Sequence, residues 1–125
     1  MGLVSDYRVQ SQIGEGAHGL VHRAIHISGK QVAIKRLLGW KLGNEITREI
    51  NALKQLDHEN IVQLLDHFSS QNTISLVFEY MLLDLSQLMN KTSIDLTTPI
   101  IKAYMLMLLK GLAHCHDNNI LHRDL

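Results

Sequence analysis

The stretch Ile13-Gly14-Glu15-Gly16-Ala17-His18-Gly19-Leu20-Val21, taken with Val32-Ala33-Ile34-Lys35, decides the fold. Gly14, Gly16 and Gly19 have Gly-x-Gly-x-x-Gly spacing. Residues without a Cβ let a backbone turn come close to a polyphosphate. The same spacing opens dinucleotide-binding folds, so the residues that follow have to separate the two. A dinucleotide fold needs a helix after the last glycine and an acidic residue about 20 positions on. Here Leu20-Val21-His22-Arg23-Ala24-Ile25-His26-Ile27 is rich in β-branched residues and lacks a helix cap. Ser28-Gly29-Lys30 then reads as a turn and Gln31–Lys35 as another strand. The glycines therefore join two strands, and the next strand ends on a cation that can reach phosphates.

Composition narrows the class. The chain has 125 residues, within the range of one domain, and 12 Lys+Arg balance 12 Asp+Glu. No net charge argues for nucleic acid or an anionic membrane as a partner. A single cysteine, Cys115, excludes an internal disulfide and fits a reducing compartment. Met1–Asp6 has neither a basic start nor an apolar run, so no signal peptide is expected, and the N-myristoylation pattern is met only in part. The most apolar stretch, 99–115, is broken by Lys102, Lys110 and Gly111, and is too short and polar to span a membrane. A cytoplasmic or nuclear chain is expected.

Along the chain, Tyr7–Ile13 reads as a first strand leading into the glycines. Asn44 is the expected N-cap of a helix running to about Asp57. Within it Ile46, Ile50, Leu53 and Leu56 form one apolar stripe, and Glu49 lies on its edge. A carboxylate beside an inward face needs a partner. A turn and strand over 58–65 come next, then a polar turn at 69–72 and a strand over Thr73–Met81. Thr98-Pro99 starts a helix, which Asn118-Asn119 stops near Asp117. Ile101, Tyr104, Met105, Leu108, Leu109, Leu112 and Cys115 give it a broad apolar face. Histidines at 18, 22 and 26 are read as ordinary strand residues, and those at 114, 116 and 122 are not read as a metal cluster.

The glycine stretch, Val32-Ala33-Ile34-Lys35 and His122-Arg123-Asp124-Leu125 stand in the order of the protein-kinase motifs, and the chain resembles that family. Within it the chain is most similar to the cyclin-dependent kinases, by Gly-Glu-Gly-x-x-Gly, Arg48-Glu49-Ile50, Leu76–Met81 and Met107–Leu112. Ala17-His18 resembles the cell-cycle-related kinase branch; typical members have Thr-Tyr there, so inhibitory phosphorylation of the loop is not expected. The resemblance implies an α+β fold. Residues 1–80 would form a small lobe, a twisted five-stranded antiparallel sheet plus one helix. Residues 81–125 would hold the hinge, the first helices of an incomplete large lobe and the start of the catalytic loop.

It also implies a serine/threonine protein kinase using ATP. Ile13, Val21 and Ala33 would sandwich the adenine, with Phe78 behind it. The backbones of Glu79 and Met81 would bond its edge, and Asp84 would accept from the ribose or simply start a helix. Gly14, Glu15, Gly16 and Gly19 would cover the phosphates. Lys35, paired with Glu49, would orient them, and Asp124 would take the proton of the substrate hydroxyl. A protein substrate is implied, as is a cyclin or cyclin-like activator, although the segment before Arg48-Glu49 departs from the usual form. The family's Mg²⁺ is held by residues of motifs that do not occur up to Leu125, so this chain is expected to be inactive alone. The alternative is a non-catalytic truncated module that competes for a kinase's partner.

Overall fold

The computed structural model describes residues 4–16, 19–38, 43–70, 72–91 and 93–125. Ala17, His18 and most of the connection after Leu38 lie outside them, as do the readings placed there. The chain divides into two compact units. One comprises Met1–Gln55 with Val62–Tyr80, the other Leu56–Ile61 with Met81–Leu125.

In the first unit a 3₁₀ turn, Val4–Asp6, precedes β1 (Tyr7–Gly16), β2 (Gly19–His26) and β3 (Gln31–Leu38). Helix α1 (Asn44–Gln55), β4 (Leu64–Ser70) and β5 (Thr73–Glu79) follow. All neighbouring strands pair antiparallel, in the order β1-β2-β3-β5-β4. The expected five-stranded sheet with one helix is the one observed. Several boundaries differ from the sequence reading: β1 continues to Gly16, α1 ends at Gln55 and β5 ends at Glu79. Ile61, Val62 and Gln63 precede β4, which runs instead through Ser69 and Ser70. The helix includes Asn44, and Ile46 N–H bonds Gly43 O at 3.2 Å at its start.

Side chains alternate between the two faces of a strand, and each face here has its own core. On one, Ala24, Val32, Ile34, Phe68 and Val77 are buried together, with Tyr7 and Leu65 against them. On the other, Leu37 and Leu76 pack against Ile46 and Ile50 of α1. Burying such side chains contributes about 1.5–3 kcal/mol each, and this burial fixes α1 on the sheet face that carries the odd-numbered residues of β3. The predicted apolar stripe of α1 makes that contact.

Tyr7 connects the two edge strands of the sheet. Its hydroxyl donates to Asp66 Oδ2 at 3.3 Å, and its ring stacks at tilted angles on His26 and Phe68. Burial first, and then the Asp66 carboxylate, raise the Tyr7 phenol above its usual value of 10.0. Folding therefore favours the protonated phenol. Its contribution is complete below about pH 10 and is lost as pH rises through the folded-state value. We expect Tyr7→Phe to flatten the fall in stability above pH 10 in urea melts at stepped pH, while leaving neutral stability within about 1 kcal/mol.

The second unit carries a short helix, α2 (Leu85–Met89), and a long one, α3 (Thr98–Asp117). Pro99 sits in the first turn of α3, but the cap is Thr97 rather than Thr98, and its hydroxyl makes no capping bond. Asn118 and Asn119 end α3 as expected. Asn118 Nδ2 bonds His114 O at 2.8 Å, and Asn119 turns left-handed at φ 59°. Segment 56–61 lies against α3. The His58 and His114 rings are 5.0 Å apart, and a Cβ on Gly111 would come 2.9 Å from Asn60 O. Gly111 is thus set by this close approach, since alanine would suit a helix interior better. Of the apolar face read from sequence, Cys115 is buried, whereas Ile101, Met105, Leu108 and Leu109 stay about half exposed. Among the described residues no helix is long and apolar enough to cross a membrane.

Candidate functional site

Antiparallel register places directly opposed residues on one face. Gly14 opposes Val21, Val21 opposes Lys35, and Lys35 opposes Leu76. A second row runs Arg23, Ala33, Phe78 and Leu64. Gly14, Val21, Ala33, Lys35 and Phe78, named from sequence for one task, therefore lie together on one sheet face, spread over four strands. All five are partly accessible. The face combines a glycine, a valine and an alanine with one lysine. It offers a flat apolar surface bounded by a cation.

Glycine is required at Gly19 by its surroundings. Its φ is +136°, and a Cβ there would lie 1.9 Å from the carbonyl oxygen of Arg36 on β3. The backbones of β2 and β3 thus meet where β2 begins. Gly16 opposes Gly19 across the hairpin, and only Ala17 and His18 separate them. At Gly14 a Cβ would make ordinary contact with Val21 Cβ at 3.6 Å, so crowding within the chain does not require a glycine there. Ile13 is about half exposed and Glu15 is exposed. A register shift between Gln12 and Gly14 accompanies Ile13.

At the end of β5, Glu79 is bound to Gln63 twice. Gln63 N–H donates to Glu79 Oε1 at 3.0 Å, and Glu79 N–H donates to Gln63 O at 3.3 Å. The Glu79 N–H is therefore already engaged. Tyr80, the next residue, has the Arg23 guanidinium carbon 5.3 Å from its ring centroid. Neither Gln63 nor the Arg23–Tyr80 contact was read from sequence. Arg23 shares strand parity with Val21, and that was the available signal.

Lys35 and Glu49 are not joined. Glu49 is exposed, and among the described residues no ion pair links it to Lys35. The stripe that turns inward is Ile46 and Ile50, which carries the adjacent Glu49 to the solvent side. An exposed ion pair contributes little against the hydration of both charges, so burial of the two isoleucines sets the orientation.

In the second unit Met81 is exposed. Asp84 caps α2: its Oδ1 accepts from Gln87 N–H at 2.7 Å, and Gln87 Oε1 accepts from Asp84 N–H at 3.0 Å. Of the two roles read for Asp84, the helix-start role is the one the geometry displays. Asp124 follows Arg123, whose φ is 65°, and its N–H bonds His122 Nδ1 at 3.1 Å. A left-handed non-glycine residue is the kind of strain found at functional turns. Among the described residues no group of three His, Cys, Asp or Glu side chains could hold a metal ion. A concavity of about 450 Å³ by Lys54 and Leu64–His67 contains none of the residues named from sequence.

Comparison with known proteins bears on these motifs together. The chain is 44% identical over 128 residues to a protein named cyclin-dependent kinase 20 of Danio rerio, covering 98% of this chain and 37% of the relative. It is 41% identical over 128 residues to cyclin-dependent kinase 7 of Dictyostelium discoideum, covering 95% of this chain and 36% of that protein. Against cyclin-dependent kinase 20 of Macaca mulatta the identity is also 41%, over 98% of this chain and 53% of the relative. The chain thus spans between about a third and a half of the relatives it resembles. With the glycine hairpin, Lys35 and the His122–Asp124 turn in place, and with the protein kinase domain model matching residues 7–125, this chain belongs to the protein kinase family, and its relatives are cyclin-dependent kinases.

Proposed function

We propose that the protein is a serine/threonine kinase of the cyclin-dependent type and that the Gly14–Val21–Ala33–Lys35 face binds ATP. The observation that carries this is the register, which sets a glycine, two small apolar residues and the lysine side by side across β1, β2 and β3. An adenine ring suits the flat surface of Val21 and Ala33, with Phe78 at its inner end and Ile13 at its outer one. The resemblance assigns the base edge to the backbones of Glu79 and Met81; the Glu79 N–H is bound to Gln63 O. Lys35 neutralises phosphate charge, and the hairpin Gly14–Gly19, with Glu15 and Gly16, closes over the phosphates. Glu49 is the carboxylate assigned to Lys35 when nucleotide is bound.

In the transfer, the substrate hydroxyl oxygen bonds to the γ-phosphorus while the bond to the β–γ bridging oxygen breaks. The hydroxyl proton passes to the Asp124 carboxylate, leaving a phosphoester and ADP. The family's Mg²⁺ neutralises charge on the phosphates. Among the described residues no group of three His, Cys, Asp or Glu side chains could hold a metal ion. Protein serine or threonine as acceptor, a cyclin-like activator and a cytoplasmic or nuclear location belong to the same proposal.

Ala33→Phe tests the nucleotide face. A benzyl group there fills the surface where the adenine would lie, and it also crowds Arg23 and Phe78, which stand directly opposite. We expect affinity for a fluorescent ATP analogue to fall at least about 30-fold, a loss of about 2 kcal/mol, with the fold retained by circular dichroism. Unchanged affinity would place the nucleotide elsewhere.

A further inference from the structure

Arg23 has no role in the reading above, and its setting is unusual. It lies on the same sheet face as Val21, directly opposite Ala33, which in turn opposes Phe78 on β5. In the sheet β3 lies between β2, which carries Arg23, and β5, which Tyr80 follows, and the residue directly opposite Arg23 on β3 is the small Ala33. The guanidinium ends over the ring of Tyr80, its carbon 5.3 Å from the centroid. That is within the range of a cation–π contact. Its Nε is buried and has no hydrogen-bond partner. A desolvated donor without an acceptor is unfavourable and persists only where other packing holds it. Among the described residues the Tyr80 ring is the group seen to hold it.

The location of Tyr80 gives the contact its consequence. Glu79, just before it, is fixed to Gln63 on the β4 side by two hydrogen bonds. Arg23 reaches Tyr80 from the β2 side. The exit of β5 is therefore held from both flanks, at the residues whose backbone orientation decides how an adenine edge is met.

We propose that the Arg23–Tyr80 stack is a positioning brace that fixes the exit of β5 and, through it, sets affinity for the adenine of ATP. This rests on the nucleotide reading of the same face. Neither residue is assigned a catalytic contact. The stack acts by removing freedom from the Glu79–Tyr80 backbone before ligand arrives, which lowers the ordering cost of binding.

The test is a double-mutant cycle on the chain at high dilution, with Arg23→Met, Tyr80→Leu and the pair of substitutions together. Affinity is read with a fluorescent ATP analogue, and amide exchange at Glu79 and Tyr80 is followed without nucleotide. Each single variant is expected to weaken binding about 3- to 10-fold and to speed exchange at both amides. The double variant should be no worse than either single one. Tyr80→Phe, which keeps the ring, should stay within about 2-fold of the parent. A purely structural role would lower the thermal midpoint of all variants without this ring-dependent rescue. Losses that multiply in the double variant, or Tyr80→Phe as damaging as Tyr80→Leu, would overturn the brace. If the parent binds no ATP analogue, the nucleotide reading and the affinity claim fall together. Amide exchange then decides the brace alone, supporting it if faster in Arg23→Met and refuting it if unchanged.

Discussion

Gly19→Val is expected to unfold the first unit at ambient temperature or to leave it marginal. At Gly19 the backbone has φ +136°, a region that side chains rarely adopt, and holding a β-branched residue there costs about 1–3 kcal/mol. The added Cβ would also stand 1.9 Å from the Arg36 carbonyl oxygen, so β2 and β3 would have to part. Overpacking against a flexible side chain costs about 1–3 kcal/mol, and here the obstacle is backbone. Together these reach about 4 kcal/mol or more, a large share of the 5–15 kcal/mol typical of a domain. Urea titration followed by circular dichroism measures it. Gly14→Ala is the control. Its Cβ meets Val21 at 3.6 Å, so it should change stability by no more than about 1 kcal/mol. Equal losses at the two glycines would mean that the β2–β3 approach is not what demands Gly19.

The second large effect is expected at Val77. It has no exposed surface and lies among Ala24, Val32, Ile34 and Phe68, opposite Ile34 on β3. Val77→Ala should cost about 2–3 kcal/mol through lost burial and the cavity left behind. Val77→Asp brings an ionisable group into the same space without a partner. The carboxyl would be forced to bind a proton or the sheet to open, and a loss beyond about 4 kcal/mol is expected. Because burial raises the carboxyl's pKa, Val77→Asp should regain part of its stability as pH falls from that raised value toward the unfolded value of about 3.9. Melting curves at pH 4.5 and 7.5 check the sign. If stability instead fell on acidification, the substituted carboxylate would have found solvent or a cation, and the residue would not be central to this core.

These two sites also show how far the sequence alone could be read. Alternation and turn residues placed β1, β2, β3 and β5 because each strand has a buried face against a known partner. The α1 stripe was legible because Ile46 and Ile50 repeat at helical spacing toward Leu37 and Leu76. β4 was misplaced by several residues. Ile61-Val62 looks like strand by composition, yet it precedes the β4–β5 pairing, and the polar Ser69-Ser70 is paired with Ile74 and Thr73. Backbone pairing, which composition does not encode, decided that boundary.

The cap of α3 shifted for a related reason. Thr97 and Thr98 are chemically equivalent caps, and the side-chain bond that would choose between them is not made.

In the site, motif residues sort into two kinds. Gly14, Val21, Ala33 and Lys35 were legible together because strand parity guarantees a shared face once the register is known. Glu49 was not, since a residue at the edge of a helical stripe can turn either way, and burial of Ile50 decides its direction. Asp84 had two readings that only geometry could separate, and its reciprocal bonds with Gln87 identify a helix cap. Arg23 and Tyr80 are 57 positions apart, and no local pattern links a cation on β2 with a ring beyond β5.

The most direct measurement is the site of labelling by an acyl-phosphate derivative of ATP, which transfers its acyl group to an amine held against the phosphates. Peptide mass spectrometry of the labelled chain compares Lys35 with Lys30, Lys41, Lys54, Lys91, Lys102 and Lys110. The nucleotide face described here predicts that Lys35 is acylated first and that excess ATP protects it while the other lysines are unaffected. Labelling spread over all lysines according to exposure, without protection by ATP, would contradict it.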